Sequence, residues 1–316
     1  MRQLLFAVLV FLGTTAQAAY PEKPIRFILP SAAGGSVDIL MRVLTQQLST
    51  QMGVGFVVEN KPGGAFVPGT MDIVRAAPDG YTLGYGNIVS LAINRSLLPK
   101  LSYDVEKDLT LISNCVQVFN MLAVNNDLPV RSVADLIAYA KKNPGKLTNG
   151  SSGNGTTGHL GGELFKFMTG TDIVHVPYKG SPQAINDLMA GNIQVMFDNV
   201  PSIGPHAKAG RVRGLGVSSP KRAAQFPDLP TIAEAVPGYE TNSWGGVIGP
   251  AKLPKEIVSR LTEEIRKALA APAVMERYRQ LDTEPDGAGP EAFLELVRKE
   301  TPKWAEVVKK SGAKVD

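Results

Sequence analysis

Two glycine- and serine-rich stretches, each set between an apolar segment and a helical pattern, constrain the fold of this chain more than any other feature. The longer one is Thr148 to Gly162, TNGSSGNGTTGHLGG, and a helix is predicted to begin within it near His159. The shorter one is Pro30 to Ser36, PSAAGGS, which follows apolar Ile25 to Leu29 and precedes a helix predicted to open at Val37. This arrangement favours binding of an anion. The loop exposes backbone N–H groups, and the helix that follows it adds the positive end of its dipole. Two such loops on separate α/β units could face each other across a cleft.

Short apolar segments alternate with helical patterns along most of the chain, which predicts a parallel sheet covered on both faces. A length of 316 residues exceeds one small core and fits two α/β domains. The apolar segment Leu109 to Val124 is predicted to cross between the domains, and Trp244 to Gly249 to carry the chain back. The predicted fold class is α/β, with two doubly wound domains and a ligand cleft between them. Residues 19–117 plus 245–316 are predicted to form domain 1, and residues 118–244 domain 2.

The first 18 residues are predicted to be a secretory signal peptide and not part of the globule. Arg2 supplies a positive charge, Leu4 to Leu12 an apolar run, and Ala16 to Ala18 a small-residue cleavage site. A membrane anchor is the alternative, but the apolar run is too short to span a bilayer. The mature chain is therefore expected to begin near Ala19 and to be exported to the periplasm.

Charge and cysteine content restrict the partners. The formal net charge is +4 and becomes +3 once Arg2 leaves with the signal, because residues 1–18 contain no acid. The basic residues are scattered, so nucleic acid is not an expected partner, whereas a modest positive balance suits an anionic small molecule. Cys115 is the sole cysteine, which excludes an intramolecular disulfide and a thiolate metal cluster and predicts a buried apolar side chain.

The longer loop contains a match to the dinucleotide-binding pattern G-x-G-x-x-G at Gly153 to Gly158. The preceding strand is short and polar, and the next predicted strand leads into Pro177-Tyr178-Lys179 instead of the acidic residue that would hold a ribose. A carboxylate needs the same exposed amides and little else. The sequence therefore favours a carboxylate over a dinucleotide, and no cofactor is expected.

Recognisable catalytic motifs are missing from the sequence. The histidines lack metal-ligand spacing, and no serine lies in a G-x-S-x-G elbow. His159 could act as a base beside Ser151 and Thr156, which would make the chain an exported α/β enzyme acting on a small carboxylate. A packing role for His159 at the start of a helix is favoured instead. The preferred hypothesis is a binding protein without a catalytic step.

Four further side chains are candidates for ligand contact. Asp38 could bind a ligand or cap the helix that it begins. Tyr178 follows one predicted strand, and Asp198 with Asn199 follows another, at the carboxyl ends where open α/β sheets place ligand contacts. A helix cap is the equal alternative for Asp198 and Asn199. An aspartate in the cleft would repel a second carboxylate, so Asp198 would favour a ligand that bears a hydroxyl or an amine.

These residues resemble a known family, the Bug proteins, which are the extracytoplasmic solute receptors of tripartite tricarboxylate transporters. The resemblance covers essentially the whole mature chain, and its specificity lies in the order of motifs that are weak alone. The motifs are Pro30 with Gly34-Gly35-x-x-Asp38, Glu59-Asn60-Lys61-Pro62-Gly63, Pro78-Asp79-Gly80-Tyr81-Thr82-Leu83, Ser151-Ser152-Gly153-Asn154-Gly155-Thr156 with Gly158-His159-Leu160, His175-Val176-Pro177-Tyr178-Lys179-Gly180, Pro230-Thr231-Ile232-Ala233-Glu234 and Trp244-Gly245-Gly246.

The resemblance implies a two-domain periplasmic binding protein that closes on its ligand by a hinge motion. In the family, a ligand carboxylate is held between the loops that correspond to Ser31 to Asp38 and Ser151 to Thr156, largely through backbone groups and bridging waters. The implied partners are a small-molecule carboxylate and membrane transporter subunits, and a monomer is expected. A sensor that presents its closed form to a signalling protein is the alternative. The candidate ligand-binding residues are Ser31, Ala33, Gly34, Gly35, Ser36, Asp38, Ser151, Gly153, Gly155, Thr156, Tyr178, Asp198 and Asn199.

Two departures from the usual family pattern bear on the ligand. Family members often carry an aromatic residue after the first proline, where this chain has Ser31, and a glycine-rich continuation where it has Phe66. Phe66 could reshape one wall of the cleft or simply pack. The resemblance therefore does not identify a particular carboxylate.

Overall fold

The computed structural model describes residues 20–313. The predicted signal peptide, residues 1–18, lies outside the described residues. Within the described part of the chain, no helix is both long and apolar enough to cross a membrane. Among the same residues, no group of three or more His, Cys, Asp or Glu side chains is placed to hold a metal ion.

Ten strands and eleven α-helices alternate along the described residues. The strands are β1 (Ile25–Leu29), β2 (Phe56–Asn60), β3 (Thr82–Asn87), β4 (Leu109–Val124), β5 (Leu147–Ser151), β6 (Ile173–Pro177), β7 (Val195–Asn199), β8 (Arg213–Val217), β9 (Asn242–Pro250) and β10 (Glu284–Pro285). The helices are α1 (Ser36–Met52), α2 (Val67–Val74), α3 (Asn94–Leu97), α4 (Val105–Asp108), α5 (Val133–Lys142), α6 (Thr157–Thr169), α7 (Ser181–Ala190), α8 (Val200–Lys208), α9 (Lys255–Leu269), α10 (Pro272–Gln280) and α11 (Pro290–Ser311). A π-helical turn, Val89–Ile93, leads into α3, and 3-10 turns cover Gly64–Phe66 and Ile232–Glu234.

The strands form one mixed sheet with the order β2-β1-β3-β9-β4-β7-β5-β6, and β8 and β10 also pair with β4. β1 is parallel to β2 and β3, and β5 is parallel to β6 and β7. The pairs β3–β9, β9–β4 and β4–β7 are antiparallel. The prediction of a parallel sheet is therefore wrong for the centre of the sheet. A chain that crosses to the second half along β4 and returns along β9 must run in opposite directions there.

Strand β4 links the two halves of the molecule. Its 16 residues pair with β9 over 109–119 and with β7 over 120–124. The segment predicted to cross between the domains is one strand with the predicted bounds, and the segment predicted to return lies inside β9. The predicted domain boundaries at 117/118 and 244/245 fall within these two strands, and they stay a prediction.

The helices that follow the two glycine-rich loops form for local reasons. Helix α1 buries leucines at helical spacing and ends at Gly53, whose φ of 70° suits glycine. Helix α6 begins at Thr157, two residues before the predicted start. The hydroxyl of Thr156 caps α6 by accepting a hydrogen bond from the N–H of His159.

Apolar side chains fill both halves of the molecule. One buried cluster contains Phe27 of β1, Cys115 of β4 and Tyr278 of α10. A second cluster, in the other half, contains Phe165 of α6 and Phe197 of β7. Burial raises the pKa of the Cys115 thiol to about 12. The structure therefore confirms the predicted role of this cysteine as a buried apolar side chain.

Candidate ligand-binding site

A cavity of about 520 Å³ lies between the two halves of the molecule, and both glycine-rich loops line it. Sites for small molecules typically measure about 300–1,000 Å³. The lining from the first half includes Ser31, Gly35, Ser36, Val37, Phe66, Asn87 and Val89. The lining from the second half includes Gly153, Thr156, Thr157, Tyr178, Lys179, Ser181, Asp198 and Asn199.

Four helices begin at this cavity. It is lined by Ser36 of α1, Thr157 of α6, Ser181 of α7 and Asn199, which precedes α8. In the described part of the chain, no side-chain hydrogen bond caps the start of α1, α7 or α8. Free first-turn N–H groups and the positive ends of helix dipoles favour an anion. The cavity can therefore bind an anion largely through the backbone.

Charged side chains contribute little to the cavity wall. Among the described residues that line it, Lys179 is the only cationic side chain and Asp198 the only acid. Lys179 is exposed, so water screens its charge. An anion in the cavity must therefore find most of its partners among amides and hydroxyls.

The carboxylate of Asp38 organises the first loop from behind. Its Oδ2 accepts a hydrogen bond from the Gly34 N–H at 2.9 Å, and its Oδ1 accepts from Arg42 Nε and Asn60 Nδ2, also at 2.9 Å. Asn60 Nδ2 also donates to the carbonyl oxygen of Ser31. Burial opposes ionisation, but the bonds from Arg42, Gly34 and Asn60 outweigh it and hold the pKa of Asp38 below its ordinary value. Asp38 therefore holds the loop in place and does not line the cavity.

Hydrogen bonds beneath the cavity wall hold the second loop. Ser151 is fully buried, and its Oγ accepts a hydrogen bond from the Gly153 N–H. The Gly155 N–H donates to His159 Nδ1 at 3.0 Å, and Thr156 Oγ1 donates to the Gly153 carbonyl at 2.8 Å. The amide of Gly155 is thus already bonded within the loop, while Gly153 and Thr156 lie on the cavity wall.

Two histidines stack beneath the second loop. The rings of His159 and His175 lie 3.9 Å apart with an interplanar angle of 15°. Burial lowers the pKa of His159 to about 4 and that of His175 to about 3, so both rings are neutral near pH 7. His175 Nε2 lies 2.7 Å from Ser151 Oγ, a distance also found in nucleophile and base pairs. Because Ser151 has no exposed surface, this pair lies beneath the loop and does not line the cavity.

Strand β7 ends in two polar residues that line the cavity. Asp198 is 4% exposed, and its Oδ1 accepts a hydrogen bond from Ser181 Oγ at 2.9 Å. Burial raises the pKa of Asp198 to about 7, against the hydrogen bonds from Ser181 and the Asn199 backbone. Asn199 Nδ2 donates to Ser36 Oγ at 2.9 Å, a bond that joins the two halves across the cavity. Both residues lie at the end of the strand, where the sequence predicted them to follow it.

Part of the wall is apolar. Val37, Phe66 and Val89 line the cavity, and Phe66 also packs against a buried cluster of the first half. Ala65 and Phe66 have positive φ angles of 50° and 68°, which non-glycine residues adopt only where their surroundings enforce it. Asn94 Nδ2 donates to the Ala65 carbonyl at 2.8 Å, and Thr70 Oγ1 donates to the Phe66 carbonyl at 2.9 Å. Phe66 therefore both packs and forms a wall of the cavity.

The structure brings most of the predicted site residues to one cavity. Those that line it are Ser31, Gly35, Ser36, Gly153, Thr156, Tyr178, Asp198 and Asn199. Those that belong to the same loops but do not line it are Ala33, Gly34, Asp38, Ser151 and Gly155. Tyr178 lines the cavity while its hydroxyl donates to Asp187 Oδ2 at 2.6 Å. Ligand contact by any of these residues stays a prediction.

Sequence reasoning missed the start of helix α7, with Ser181, as part of the site, and it included the start of α8 only through Asp198 and Asn199. Both helices carry a proline in the first turn, Pro182 in α7 and Pro201 in α8, a position that proline favours because its missing N–H is not needed there. This signal marks a helix start. It does not reveal that the start faces the same cavity as the two glycine-rich loops.

Comparison with known proteins identifies the family. The sequence model described as the tripartite tricarboxylate transporter family receptor matches residues 40–313. The chain is 34% identical to Protein BugT of Bordetella pertussis over 323 aligned positions, which cover 100% of this chain and 99% of BugT.

Solved structures share the fold. The structure of R. palustris Rpa4515 with adipate is 38% identical, has a TM-score of 0.91 and is matched over 94% of this chain and 100% of that one. The structure of MatC from Rhodopseudomonas palustris with bound malate is 26% identical, has a TM-score of 0.87 and is matched over 92% of this chain and 100% of that one. These matches confirm the predicted two-domain α/β fold of a periplasmic binding protein. The chain belongs to the tripartite tricarboxylate transporter receptor family, as its resemblance to the Bug proteins predicted.

Proposed function

We propose that this chain is a periplasmic receptor that captures a small carboxylated solute in the cavity between its halves and delivers it to a tripartite tricarboxylate-type membrane transporter. The observation that carries the proposal is the convergence of four helix starts on one cavity. Their amides and dipoles favour a carboxylate without a buried cationic side chain. Adipate and malate in two related structures support the same ligand class.

The ligand carboxylate would bind between the first loop and the starts of α6, α7 and α8. Ser36 and Thr156 lie on opposite sides of the cavity. The hydroxyl of Ser36, which accepts from Asn199, can still donate to a ligand, whereas the hydroxyl of Thr156 is engaged within its own loop. The bond between Asn199 and Ser36 joins the same two sides. Capture would then bring the halves together by a hinge motion of the kind seen in periplasmic binding proteins. The membrane transporter would recognise the closed form.

A thermal-shift screen of the mature chain tests the proposal. The screen would compare mono-, di- and tricarboxylates with neutral compounds of similar size. A ligand at 100 times its dissociation constant stabilises a protein by about 2.7 kcal/mol, enough to raise the melting temperature by several degrees. We expect a shift with at least one carboxylate class, and no shift across all carboxylates would overturn the proposal.

A pair of variants on α1 locates the binding site. Ser36→Leu fills the cavity wall and should abolish the ligand-induced shift. Thr50→Leu, on an exposed position of the same helix, should leave the shift intact. Equal shifts in both variants would place binding elsewhere.

Uptake into cells separates transport from sensing. If the chain serves a transporter, deleting its gene should abolish uptake of the radiolabelled ligand, and restoring the gene should recover it. Unchanged uptake together with a lost transcriptional response to the ligand would support the sensor alternative.

A further inference from the structure

The carboxyl group of Asp198 is an unusual feature of a cavity suited to anions. It is the only acid among the described lining residues, and Asp198 is 4% exposed. Ser181 Oγ donates to Oδ1, whereas Oδ2 has no hydrogen-bond partner among the described residues. A buried carboxylate oxygen without a donor is costly. A ligand that supplies a donor would remove this cost.

Other acceptors lie in the same lining. Asn199 Oδ1 and Ser31 Oγ are buried and also have no partner among the described residues. Asn199 directs its Nδ2 toward Ser36 across the cavity, which leaves its oxygen as an acceptor. The wall around Asp198 therefore offers hydrogen-bond acceptors as well as the amide donors of the helix starts.

We propose that Asp198 makes this cavity select carboxylates that also carry a hydrogen-bond donor, a hydroxyl or an ammonium group, over unsubstituted carboxylates of the same length. This inference rests on the proposed function and specifies its ligand class. A fully ionised diacid would place negative charge near Asp198, and Lys179, the only cation among the lining residues that the structure describes, is exposed. A hydroxyl or ammonium group would instead donate to Oδ2. Burial is what disfavours the ionised form of the Asp198 carboxyl. A hydrogen bond from the ligand to Oδ2 would offset this cost directly.

Isothermal titration calorimetry with matched ligand pairs tests the inference. The pairs are malate against succinate, aspartate against succinate, and 2-aminoadipate against adipate, all at pH 8, where Asp198 is mostly ionised. For at least one pair, we expect the wild-type protein to bind the donor-bearing member at least tenfold more tightly. In Asp198→Asn, which keeps the size of the side chain, we expect this ratio to fall below threefold and the affinity for the unsubstituted member to stay equal or rise.

Three results would overturn the inference. The first is equal or better binding of the unsubstituted member by the wild type in every pair. The second is a preference that survives unchanged in Asp198→Asn. The third is uptake of one proton per bound diacid, measured in buffers of different ionisation enthalpy, because Asp198 would then donate its own proton to the ligand. The wild-type comparison remains informative even if Asp198→Asn does not fold. Failure of every carboxylate to bind would instead reject the proposed function itself.

Discussion

Replacing Gly180 by alanine tests whether the two walls of the cavity must approach each other for binding. Gly180 precedes α7 and lines the cavity opposite the first loop. A Cβ atom placed on it would lie 2.5 Å from the Cβ of Ala32, and its φ of 151° is one that alanine rarely adopts. The next contact with Ala32, at its Cα, is at 3.9 Å. The conflict is therefore mainly between two methyl groups on opposite walls.

The unfavourable φ angle and the steric clash affect different quantities, the stability of the fold and the affinity for the ligand. The unfavourable φ persists whether the walls are together or apart, so it lowers the free energy of unfolding, by about 1–3 kcal/mol. The clash exists only when the walls meet, because ordinary carbon contacts are about 3.5–4.0 Å. Overpacking of this kind costs about 1–3 kcal/mol. At tenfold per 1.4 kcal/mol, the dissociation constant should rise about 5-fold to 150-fold.

A double-mutant cycle separates the clash from other effects. The probe is the carboxylate with the largest thermal shift in the screen, and the assay is calorimetric titration of the wild type, Gly180→Ala, Ala32→Gly and the double variant. Removing the Ala32 methyl should restore most of the lost affinity in the double variant but none of the lost stability. Affinity that stays equally low in the double variant would refute the clash argument, and an unchanged affinity in Gly180→Ala would refute wall closure as a condition for binding.

Three further predictions concern the support of the cavity walls. Ser36→Ala removes the bond to Asn199 across the cavity and should weaken ligand binding about fivefold, the effect of a typical hydrogen bond of about 1 kcal/mol; calorimetric titration measures it. Asp38→Ala leaves the Gly34 N–H without its carboxylate partner and should lower the free energy of unfolding in urea by about 1–3 kcal/mol and weaken binding. His159 stays neutral in the fold because burial lowers its pKa from 6.5 to about 4, so the unfolded chain binds the proton that the folded chain does not. Stability should therefore fall as pH drops from about 6.5 toward 4, by about 2 kcal/mol at pH 5 from this residue, as measured by urea unfolding.

Each of these predictions has a control. For Ser36→Ala, Thr50→Ala on the exposed part of α1 should bind ligand like the wild type; equal weakening in both would contradict the cross-cavity role. For Asp38→Ala, the control is Asp135→Ala at an exposed first turn of α5, which should leave binding unchanged. For the pH effect, His159→Gln should reduce the loss of stability between pH 8 and pH 5, while His175, whose pKa is also lowered by burial, leaves a loss of the same sign. An equally steep loss of stability in that variant would mean that groups other than His159 cause it. Asp198, whose raised pKa should increase stability as pH falls, is present in both proteins and does not affect the comparison.

Local features of the chain could be predicted because their causes are local. The strand β4 has its predicted bounds, Leu109 and Val124, since a stretch rich in Leu, Ile, Val and Phe favours a largely buried strand even with a few polar residues within it. The loops before α1 and α6 lie where glycine, serine and proline exclude regular structure. The order of these short motifs was also enough to indicate the family.

Roles within the site could be predicted only in part. Asp38 and Asp198 each lie near a helix start, and sequence offered binding or capping for both. The structure places Asp38 behind the loop with three donors, and Asp198 on the cavity wall with one oxygen that lacks a partner within residues 20–313. Arg42 lies one helical turn after Asp38, but Asn60 and Ser181 reach these carboxylates from elements that are distant in the sequence. No pattern within a short window of sequence contains the contacts of Asn60 and Ser181.

The sequence by itself determined where most strands, helices and glycine-rich loops lie, because hydrophobic periodicity, glycine and proline act within a few residues. Only the tertiary structure decided that β4 and β9 run antiparallel through the centre and that the starts of α1, α6, α7 and α8 meet at one cavity. Those features depend on pairing between strands more than a hundred residues apart, as with Leu109 and Pro250. The anion-binding character of the cavity follows from that pairing, since it arises from several helix starts brought together and from no single motif.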